Sequence, residues 1–570
     1  MQYTISYQNP LTHFVDIEVS CNAAGKHLLN FLIPAWRPGR YELSNYAENI
    51  SSFNAVDENG DHLPFKKTSR NCWQVATRGI QAVNVKYQFY ANQINAGGSM
   101  LDDQQLYLNF INCLMYLEHQ IMEPCLVSLK INPAYKIACG LPNRNSRQLI
   151  ARDYYHLVDS PMIASDKLKH WKFQQHGVSY NLWFMGSHRL YKPRVIKAFK
   201  SFIRAQTETM GGFPEPNYHF LFQVPATKIY HGVEHTNSTV ISLGPGSELH
   251  KTRYHDFLGI SSHELFHVWN IKKIRPKGLL PYNFKAENYF EEGFVAEGLT
   301  TYYGDLFLVK SGVIDLKQYF KELNKLFKRH FENDGRHYSS LVESSRDLWV
   351  NGYSGGDQRR KVSIYGKGAI VGLMLDLSLR RISQNQYSLD DVMRHLWKQF
   401  GNTDQGYSVN NIEMLCTQLS GENFKTFFHN FIYGVTPLES ELNSLLDHVG
   451  CYLVETPSKQ SLKKLFGIWG SSEDEGLVIK QIDATSPAWR LVAIGDVITK
   501  INGKHVTKNL NKLLGKSSTL RLQVNRKGRK LRISVPRGKA GFFLQYKVAK
   551  QQRITEEQRS NFRAWLNHKF

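Results

Sequence analysis

The amino-acid sequence predicts a multidomain protein of the α+β class. The N-terminal part consists of short alternating apolar and polar segments separated by turn-forming residues, which is typical of antiparallel β structure. The middle contains long apolar stretches with helical periodicity, and the C-terminal part returns to short strand-like segments before a last helix. A chain of 570 residues has room for roughly three or four domains.

We predict four segments along the chain. An N-terminal β-sheet or sandwich domain covers residues 1–165, a mostly helical domain covers 166–455, a β domain covers 456–548 and a C-terminal helix covers 549–570. Residues 33–41 interrupt the first domain, because their two prolines exclude a central strand and their large aromatic residues need a surface to pack on. The sequence favours a structural corner here over the wall of a binding site.

Composition narrows the classes of function. The chain has 71 Lys and Arg against 49 Asp and Glu, a formal net charge of +22. These basic residues are spread along the chain without a nucleic-acid-binding module, so we expect a generally basic surface and treat nucleic-acid binding as a distant alternative. No signal peptide or membrane span is evident, and seven scattered cysteines without Cys-x-x-Cys pairs predict reduced thiols in a cytoplasmic protein.

The sequence His263-Glu264-Leu265-Phe266-His267 predicts a metal site. Two histidines four residues apart lie on one face of a helix and can bind the same ion, with Glu264 beside them as a base. The alternative is a solvated or core-capping pair of histidines. The metal hypothesis therefore needs a third ligand from elsewhere in the chain.

Several downstream glutamates are candidates for that third ligand. Spacing alone does not choose among Glu287, Glu291, Glu292 and Glu297. We favour Glu297, because residues 294–309 form an apolar helical stripe and a ligand on a buried helix is held rigidly. Glu287 belongs to a polar segment that follows two prolines.

Two further residues have a pattern that suggests a role in catalysis. If residues 230–238 form an edge strand beside the metal helix, a peptide can add its backbone there, and Glu234 can bind a free α-amino group. Tyr365 precedes an apolar helix over 370–379 and can donate a hydrogen bond to an oxyanion. A surface-loop glutamate and a packing tyrosine are the respective alternatives.

Together these segments resemble the glycyl aminopeptidase family of zinc metallopeptidases, relatives of the thermolysin-like aminopeptidases. Four motifs occur in the family's order, and with the N-terminal corner they span nearly the whole chain. They are His263-Glu264-Leu265-Phe266-His267-Val268-Trp269-Asn270 with Lys272 and Pro276, Glu297-Gly298-Leu299-Thr300-Thr301-Tyr302-Tyr303, Gly232-Val233-Glu234-His235, and Tyr365-Gly366-Lys367-Gly368; the corner is Trp36-Arg37-Pro38-Gly39-Arg40-Tyr41.

The resemblance implies a thermolysin-like catalytic domain that uses Zn²⁺. In it His263, His267 and Glu297 would be the metal ligands. Glu264 would be the general base, and Tyr365 would be the second catalytic residue and would stabilise the transition state.

The resemblance also implies the substrate class. Glu234 and Gly232 would form the substrate-binding strand, with Glu234 holding the N-terminal amine. The expected activity is the removal of N-terminal residues from peptides, with a preference for Gly or Ala. His231 stands where the family commonly has a second glycine.

Residues 456–548 resemble a PDZ domain through the sequence Gly495-Asp496-Val497-Ile498 and the following Asn502-Gly503. Residues 466–470 would occupy the position where backbone amides receive a peptide C-terminus, and a purely structural PDZ-like domain is the equal alternative. Thr555 and Gln558 resemble a capping box at the start of the last helix.

Two other functions remain open at this stage. One is a zinc endopeptidase that uses its PDZ domain to capture substrate C-termini, and it differs from an aminopeptidase in cleaving peptides whose α-amine is blocked. The other is a non-catalytic PDZ scaffold. The presence of both histidines, Glu264 and Glu297 disfavours the scaffold.

Overall fold

The computed structural model describes residues 1–570 with the exception of 24, 354, 355, 507–509, 515–517 and 540. The chain divides into two compact units. Unit 1 comprises residues 1–315, 345–353 and 389–421, and unit 2 comprises 316–344, 354–388 and 422–570. The prediction of a multidomain α+β protein with a β-rich N-terminal region and a helical region is confirmed.

The strands and helices follow in chain order. The strands are β1 (Gln2–Ser6), β2 (Phe14–Asn22), β3 (Leu28–Leu32), β4 (Ile50–Asp57), β5 (Phe65–Ser69), β6 (Cys72–Ala76), β7 (Ala82–Tyr90), β8 (Met100–Leu101), β9 (Leu106–Leu108), β10 (Cys125–Lys130), β11 (Lys136–Cys139), β12 (Asn143–Asn145), β13 (Gln148–Ala151), β14 (Met162–Ser165), β15 (Lys169–Gln175), β16 (Val178–Gly186), β17 (Asn217–Val224), β18 (Ile229–Glu234), β19 (Ser238–Gly244), β20 (Cys451–Thr456), β21 (Ile468–Glu473), β22 (Gly476–Ile482), β23 (Val497–Ile501), β24 (Lys504–His505), β25 (Thr519–Arg526), β26 (Arg529–Pro536) and β27 (Gln545–Lys550). The helices are α1 (Phe110–Cys113), α2 (Tyr154–Val158), α3 (Lys192–Met210), α4 (Tyr254–Phe266), α5 (Thr300–Lys310), α6 (Leu316–Phe331), α7 (Leu341–Arg346), α8 (Leu348–Asn351), α9 (Gly366–Ile382), α10 (Leu389–Phe400), α11 (Val409–Ser420), α12 (Lys425–Phe428), α13 (Glu439–His448), α14 (Ser461–Phe466), α15 (Leu510–Leu514) and α16 (Glu556–Leu566).

The N-terminal region of unit 1 is built on a seven-stranded sheet in the order β12-β13-β10-β1-β2-β7-β4. In β2, Val15, Ile17 and Val19 are buried while the residues between them are partly exposed, because alternate side chains point to opposite faces. The sheet is mixed, since β1 pairs antiparallel with β2 but parallel with β10. The prediction of an antiparallel sheet is therefore wrong for the pairing of β1 with β10. Alternation identifies a strand but does not indicate which strand it pairs with.

The corner at residues 33–41 packs against later parts of unit 1. The Trp36 side chain is fully buried, and its indole Nε1 donates a hydrogen bond to the Asn283 carbonyl at 2.7 Å. Its ring contacts those of Tyr282 and Trp349 edge-on. The aromatic residues of this segment therefore fix it beside residues from the catalytic region.

A five-stranded sheet in the order β15-β16-β17-β19-β18 leads to the functional region. Strands β16, β17 and β19 run parallel, and every residue of β19 is buried. Strand β18 is antiparallel to β19 and lies at the edge of the sheet. An edge strand leaves one row of backbone groups available to an added strand.

Helices α4 and α5 pack closely in unit 1. A Cβ atom placed on Gly304 of α5 would lie 3.2 Å from the His263 Cα atom of α4, so a side chain there would require the two backbones to move apart slightly. The Ser262 hydroxyl donates a hydrogen bond to the Gly304 carbonyl at 2.8 Å, which fixes the register of the pair. This contact positions the first histidine of the metal motif against the following helix.

Unit 2 combines a helical part with β structure. Its sheet has the order β21-β22-β23-β25-β26, with β24 beside β23, and it encloses an apolar cluster that includes Phe466, Ile479 and Leu522. Helix α16 begins with the predicted capping box between Thr555 and Gln558.

The remaining observations on the fold concern the cysteines and the character of the helices. All seven cysteines are buried and none forms a disulfide. Within the described ranges, no helix combines the length and the apolar character needed to cross a membrane.

We predict that Gly304→Ala lowers the free energy of unfolding by about 1–3 kcal/mol, because the added methyl group overpacks the α4–α5 contact. Gly259→Ala is the matched control in α4, since its Cβ atom would meet only Asp305 Oδ1 at 3.7 Å. The control should be neutral or stabilising by up to about 1 kcal/mol through helix propensity. Urea denaturation checks both variants, and equal effects would contradict the close contact.

Candidate active site

Three side chains of unit 1 converge on one point. His263 Nε2 and His267 Nε2 lie 3.1 Å apart, and Glu297 Oε2 lies 3.7 Å from the first and 3.5 Å from the second. A tetrahedral metal site with bonds of about 2.1 Å has ligand atoms about 3.4 Å from one another. The spacing of these three atoms therefore suits one divalent metal ion.

The surroundings of His267 turn its Nε2 atom towards the other two ligand candidates. His267 Nδ1 donates a hydrogen bond to the Asn270 carbonyl oxygen at 3.0 Å. Nε2 therefore faces His263 and Glu297, the orientation that histidines adopt when they bind metals. Asn270 also donates from Nδ2 to the Val295 carbonyl at 2.8 Å and to Thr300 Oγ1 at 2.9 Å, so the end of α4 is tied to the segment that carries Glu297.

Glu297 lies on a π-helical segment, Phe294–Leu299, directly before α5. π-Helical turns are rare and occur frequently at functional sites, where they redirect a side chain. Among the other glutamates considered, Glu292 accepts a hydrogen bond from the Val409 amide and Glu291 pairs with Arg346. Of the four candidates, Glu297 is the one in the cluster of potential ligand atoms with both histidines.

The charges of the three ligand candidates are strongly coupled. Burial lowers the pKa of His267, but the Glu297 carboxylate raises it more, to about 9. Burial raises the pKa of Glu297, and the two histidines outweigh burial and hold it below its usual value. The site thus stabilises a positive charge between a carboxylate and two imidazoles, which a metal ion supplies in place of a proton.

Glu264 lies against the edge strand. A Cβ atom on Gly232 would be 2.0 Å from Glu264 Oε1, so only glycine fits at that position of β18. Burial raises the pKa of Glu264 well above its usual value; His267 lowers it, and Glu234 and Glu297 raise it further. A carboxyl group with a raised pKa is suited to accept and return a proton near neutral pH.

Glu234, at the end of β18, lies beside Glu264 and is 5% exposed. Single ligand atoms of Glu234, Glu264 and His267 all lie within 4.8 Å of one another. A Cβ atom on Gly39 would be 2.6 Å from Glu234 Oε2, and the positive φ of Gly39 (+78°) also favours glycine. The corner of the N-terminal region is therefore also a wall of this site, the alternative that the sequence had disfavoured.

Tyr365 is placed at the N-terminus of α9 in unit 2, whereas the other predicted site residues lie in unit 1. The structure brings together His263, His267, Glu297, Glu264, Glu234 and Gly232, which all belong to unit 1.

Sequence reasoning missed a polar network just past Glu234. Asp159, from the end of α2, accepts hydrogen bonds from the Thr236 amide at 2.9 Å and from Lys272 Nζ at 2.7 Å. His235 Nδ1 lies 3.2 Å from the same carboxylate. Burial raises the pKa of Asp159, but Lys272 and His235 outweigh it and hold the pKa well below its usual value. Asp159 thus ties the end of β18 to the segment after the metal helix.

The comparisons with known proteins agree with this geometry. A model of the peptidase M61 N-terminal domain matches residues 2–166, and a model of the M61 glycyl aminopeptidases matches residues 256–371. The predicted resemblance to the glycyl aminopeptidase family is confirmed over these two ranges. The match supports the coarser part of the predicted activity, a peptidase.

A solved structure has a fold similar to that of this chain over nearly its whole length. A crystal structure described as an aminopeptidase N family protein from Idiomarina loihiensis matches 99% of this chain and 99% of its own, with 26% identity and a TM-score of 0.90. An M1 zinc metallopeptidase from Deinococcus radiodurans matches 74% of this chain and 90% of its own, with 13% identity and a TM-score of 0.45, too low to support an argument. No curated protein matches the chain.

We predict that Asp159→Asn lowers the free energy of unfolding by about 3 kcal/mol, because it leaves the buried Lys272 ammonium unpaired. The pKa of Asp159 is lowered in the folded state, so its contribution is complete above about pH 4 and fades as the pH falls below that. The difference between wild type and variant should therefore be constant from about pH 5 to pH 8.

Urea denaturation across this pH range measures the difference. The matched control is Glu118→Gln, which removes the exposed Lys285–Glu118 ion pair and should cost less than about 1 kcal/mol. A Glu118→Gln effect as large as that of Asp159→Asn would contradict the account.

Proposed function

We propose that this chain is a zinc-dependent aminopeptidase that removes small N-terminal residues, Gly or Ala, from peptides. The observation that carries this proposal is the position of the Glu234 carboxylate, within 4.8 Å of Glu264 and His267. A carboxylate this close to the reacting groups is suited to hold the α-amine of a peptide one residue from the scissile bond. The preference for Gly or Ala rests on the family resemblance.

The donor set supports zinc as the metal. His263 and His267 offer two imidazole nitrogens and Glu297 offers one carboxylate oxygen, a combination that catalytic zinc sites use with one position left open. Zinc bound there would supply Lewis acidity to a peptide carbonyl and to a water molecule. Asn270, as the partner of His267 Nδ1, would keep Nε2 available to the metal.

The protein's own residues carry the rest of the reaction. Glu264 would take the proton of the attacking water and return it to the leaving amine, for which its raised pKa suits it. The backbone of β18 would pair with the peptide, and Gly232 would let that backbone pass close to Glu264. Tyr365 would stabilise the oxyanion, a role proposed on the family resemblance.

The sequence-derived domain boundaries, 1–165, 166–455, 456–548 and 549–570, are kept as part of this proposal, with a thermolysin-like catalytic domain and a PDZ-like domain. For the PDZ-like domain, the hydrogen bonds favour the structural alternative over capture of a peptide C-terminus. The Gly467 amide, which a carboxylate would need, donates instead to the Lys463 carbonyl at 3.1 Å. Residues 461–466 are helix α14, so Phe466 lies in a helix and not in an open loop.

We predict that Glu264→Gln lowers kcat on the order of a thousand-fold or more, because the general base is lost. The bound zinc should be retained, because Glu264 is not one of the proposed ligands. Tyr365→Phe should lower kcat about a hundred-fold with zinc content and KM nearly unchanged. Steady-state kinetics with elemental analysis of the same samples checks both variants. Near-normal kcat in either variant would remove that residue from the mechanism.

We predict that blocking the substrate's α-amine prevents cleavage, because an acetylated amine cannot form the ion pair with Glu234. Ala-Phe and acetyl-Ala-Phe form the matched pair of substrates, and chromatography of the products measures both rates. Glu234→Gln should raise KM for Ala-Phe on the order of ten-fold or more. Equal cleavage of both peptides would favour the endopeptidase alternative.

A further inference from the structure

We propose that Arg37 is a further substrate-binding residue, which binds a carboxylate group of the peptide in the recess that Arg37 shares with Glu234. The proposal rests on the proposed aminopeptidase function, because it takes Glu234 as the ligand of the α-amine. It assigns a binding role to the N-terminal corner and predicts that substrates carry a carboxylate near the α-amine.

The first observation is the state of the Arg37 guanidinium. The residue is 4% exposed, and its Nη1 donates a hydrogen bond at 3.1 Å to the carbonyl of Pro38, its neighbour in the chain. No carboxylate pairs with Arg37 among the residues that the structure describes. Arg37 lowers the pKa of Glu264 through its charge, but no ion pair of the described chain uses its remaining donors. A buried guanidinium without a close anionic partner is costly, so such a group in a native protein normally has one.

The second observation is the shape of the protein around Arg37. A Cβ atom on Gly97 would lie 2.3 Å from Arg37 Nη2 and 2.5 Å from Nε, so the guanidinium plane rests directly on the backbone of that loop. The side chain is therefore held in one orientation before any ligand arrives. A ligand then binds without the entropic cost of ordering a long side chain.

The third observation is the recess itself, which lies wholly in unit 1. Arg37 and Glu234 both line it, and its empty space, counted together with the part open to solvent, is about 580 Å³. Of the other charged groups that line it, Lys272 pairs with Asp159 at 2.7 Å and the exposed Arg152 pairs with Asp153 at 3.2 Å.

Two cations of the recess keep no carboxylate partner in the described chain, Arg37 and Arg275. Arg275 donates to the Lys272 carbonyl at 3.1 Å and stacks on the Tyr282 ring, so its guanidinium is already engaged. Arg275 is also only half-buried, whereas Arg37 is buried, so Arg37 is the one of the two that most needs an anionic ligand.

The planar guanidinium matches a carboxylate, to which it can donate two parallel hydrogen bonds. A peptide whose amine is held by Glu234 carries such a group in one of two places. One is its C-terminus, within reach in a di- or tripeptide and compatible with an N-terminal Gly or Ala. The other is the side chain of an N-terminal Asp or Glu. In that case the enzyme would prefer acidic N-terminal residues in place of Gly or Ala.

Two pairs of substrates separate these sources. Ala-Phe against Ala-Phe-amide varies the C-terminal carboxylate, and Glu-Ala-amide against Gln-Ala-amide varies the side-chain carboxylate. In one of the two pairs, the varied carboxylate is the group that Arg37 binds. For that pair, kcat/KM of wild type should be about ten-fold or more higher for the carboxylate substrate than for its amide partner, because one charge-assisted hydrogen bond contributes that much. R37Q should bring this carboxylate-to-amide ratio close to one, and R37K should restore part of it because the charge is kept.

Arg40→Gln is the matched control. Arg40 lies three residues on, is hydrogen-bonded to Glu42 and stacks on the Tyr353 ring, so its loss should leave the carboxylate-to-amide ratio unchanged. If wild type cleaves the carboxylate and amide substrates of both pairs with nearly equal kcat/KM, the proposal is overturned. This measurement requires no variant protein. An equal loss on carboxylate and amide in R37Q would also overturn the proposal, since that marks a structural role.

The same comparison by calorimetry on the Glu264→Gln protein separates this proposal from the proposed function. Dissociation constants of Ala-Phe and Ala-Phe-amide, and of Glu-Ala-amide and Gln-Ala-amide, report the carboxylate contact without turnover. If acetylated peptides are cleaved as fast as free ones, that result by itself contradicts the proposed aminopeptidase activity. A ten-fold difference in the calorimetry that R37Q removes would still establish the Arg37 contact.

Discussion

The constraint on which the rest of unit 1 depends is the burial of three carboxylates beside the imidazoles of His263 and His267. Glu234, Glu264 and Glu297 each lie at 5% exposure or less, and their mutual repulsion is part of what raises the pKa of Glu264. Such a cluster is stable only when positive charge is shared among its members. A divalent ion between His263, His267 and Glu297 would meet that need, and in the proposed mechanism it would leave Glu264 for a proton and Glu234 for an amine.

The surrounding backbone is shaped to bring these groups together. Glycines stand where a side chain would collide, with Gly232 against Glu264 and Gly39 against Glu234, and Gly304 stands in tight contact with His263. Asn270 joins the end of the metal helix to the π-helical segment that carries Glu297. The precision of the site thus comes from close backbone approach and buried hydrogen bonds, which are the features that hold a site in a productive geometry.

Local patterns in the sequence predicted the parts of the site that lie on regular elements. The spacing of His263 and His267 follows helical periodicity, and Glu297 followed from the apolar stripe around it. The edge position of β18 was expected only by analogy with thermolysin-like enzymes. Arg37 and Asp159 escaped prediction because they come from the N-terminal region, and no local periodicity links them to residues 230–300. Nor does alternation reveal that β1 pairs parallel with β10, since the pattern within a strand carries no information about its partner.

The central claim is that His263, His267 and Glu297 form one zinc site, and zinc stoichiometry tests it most directly. Wild type and Glu297→Ala would be equilibrated with excess zinc, freed of unbound metal by gel filtration and measured by elemental analysis. The account predicts about one zinc per chain in wild type and a much smaller content in the variant, because the loss of one of three ligands opens the site. Equal zinc content in the two proteins, or no zinc in wild type, would contradict it.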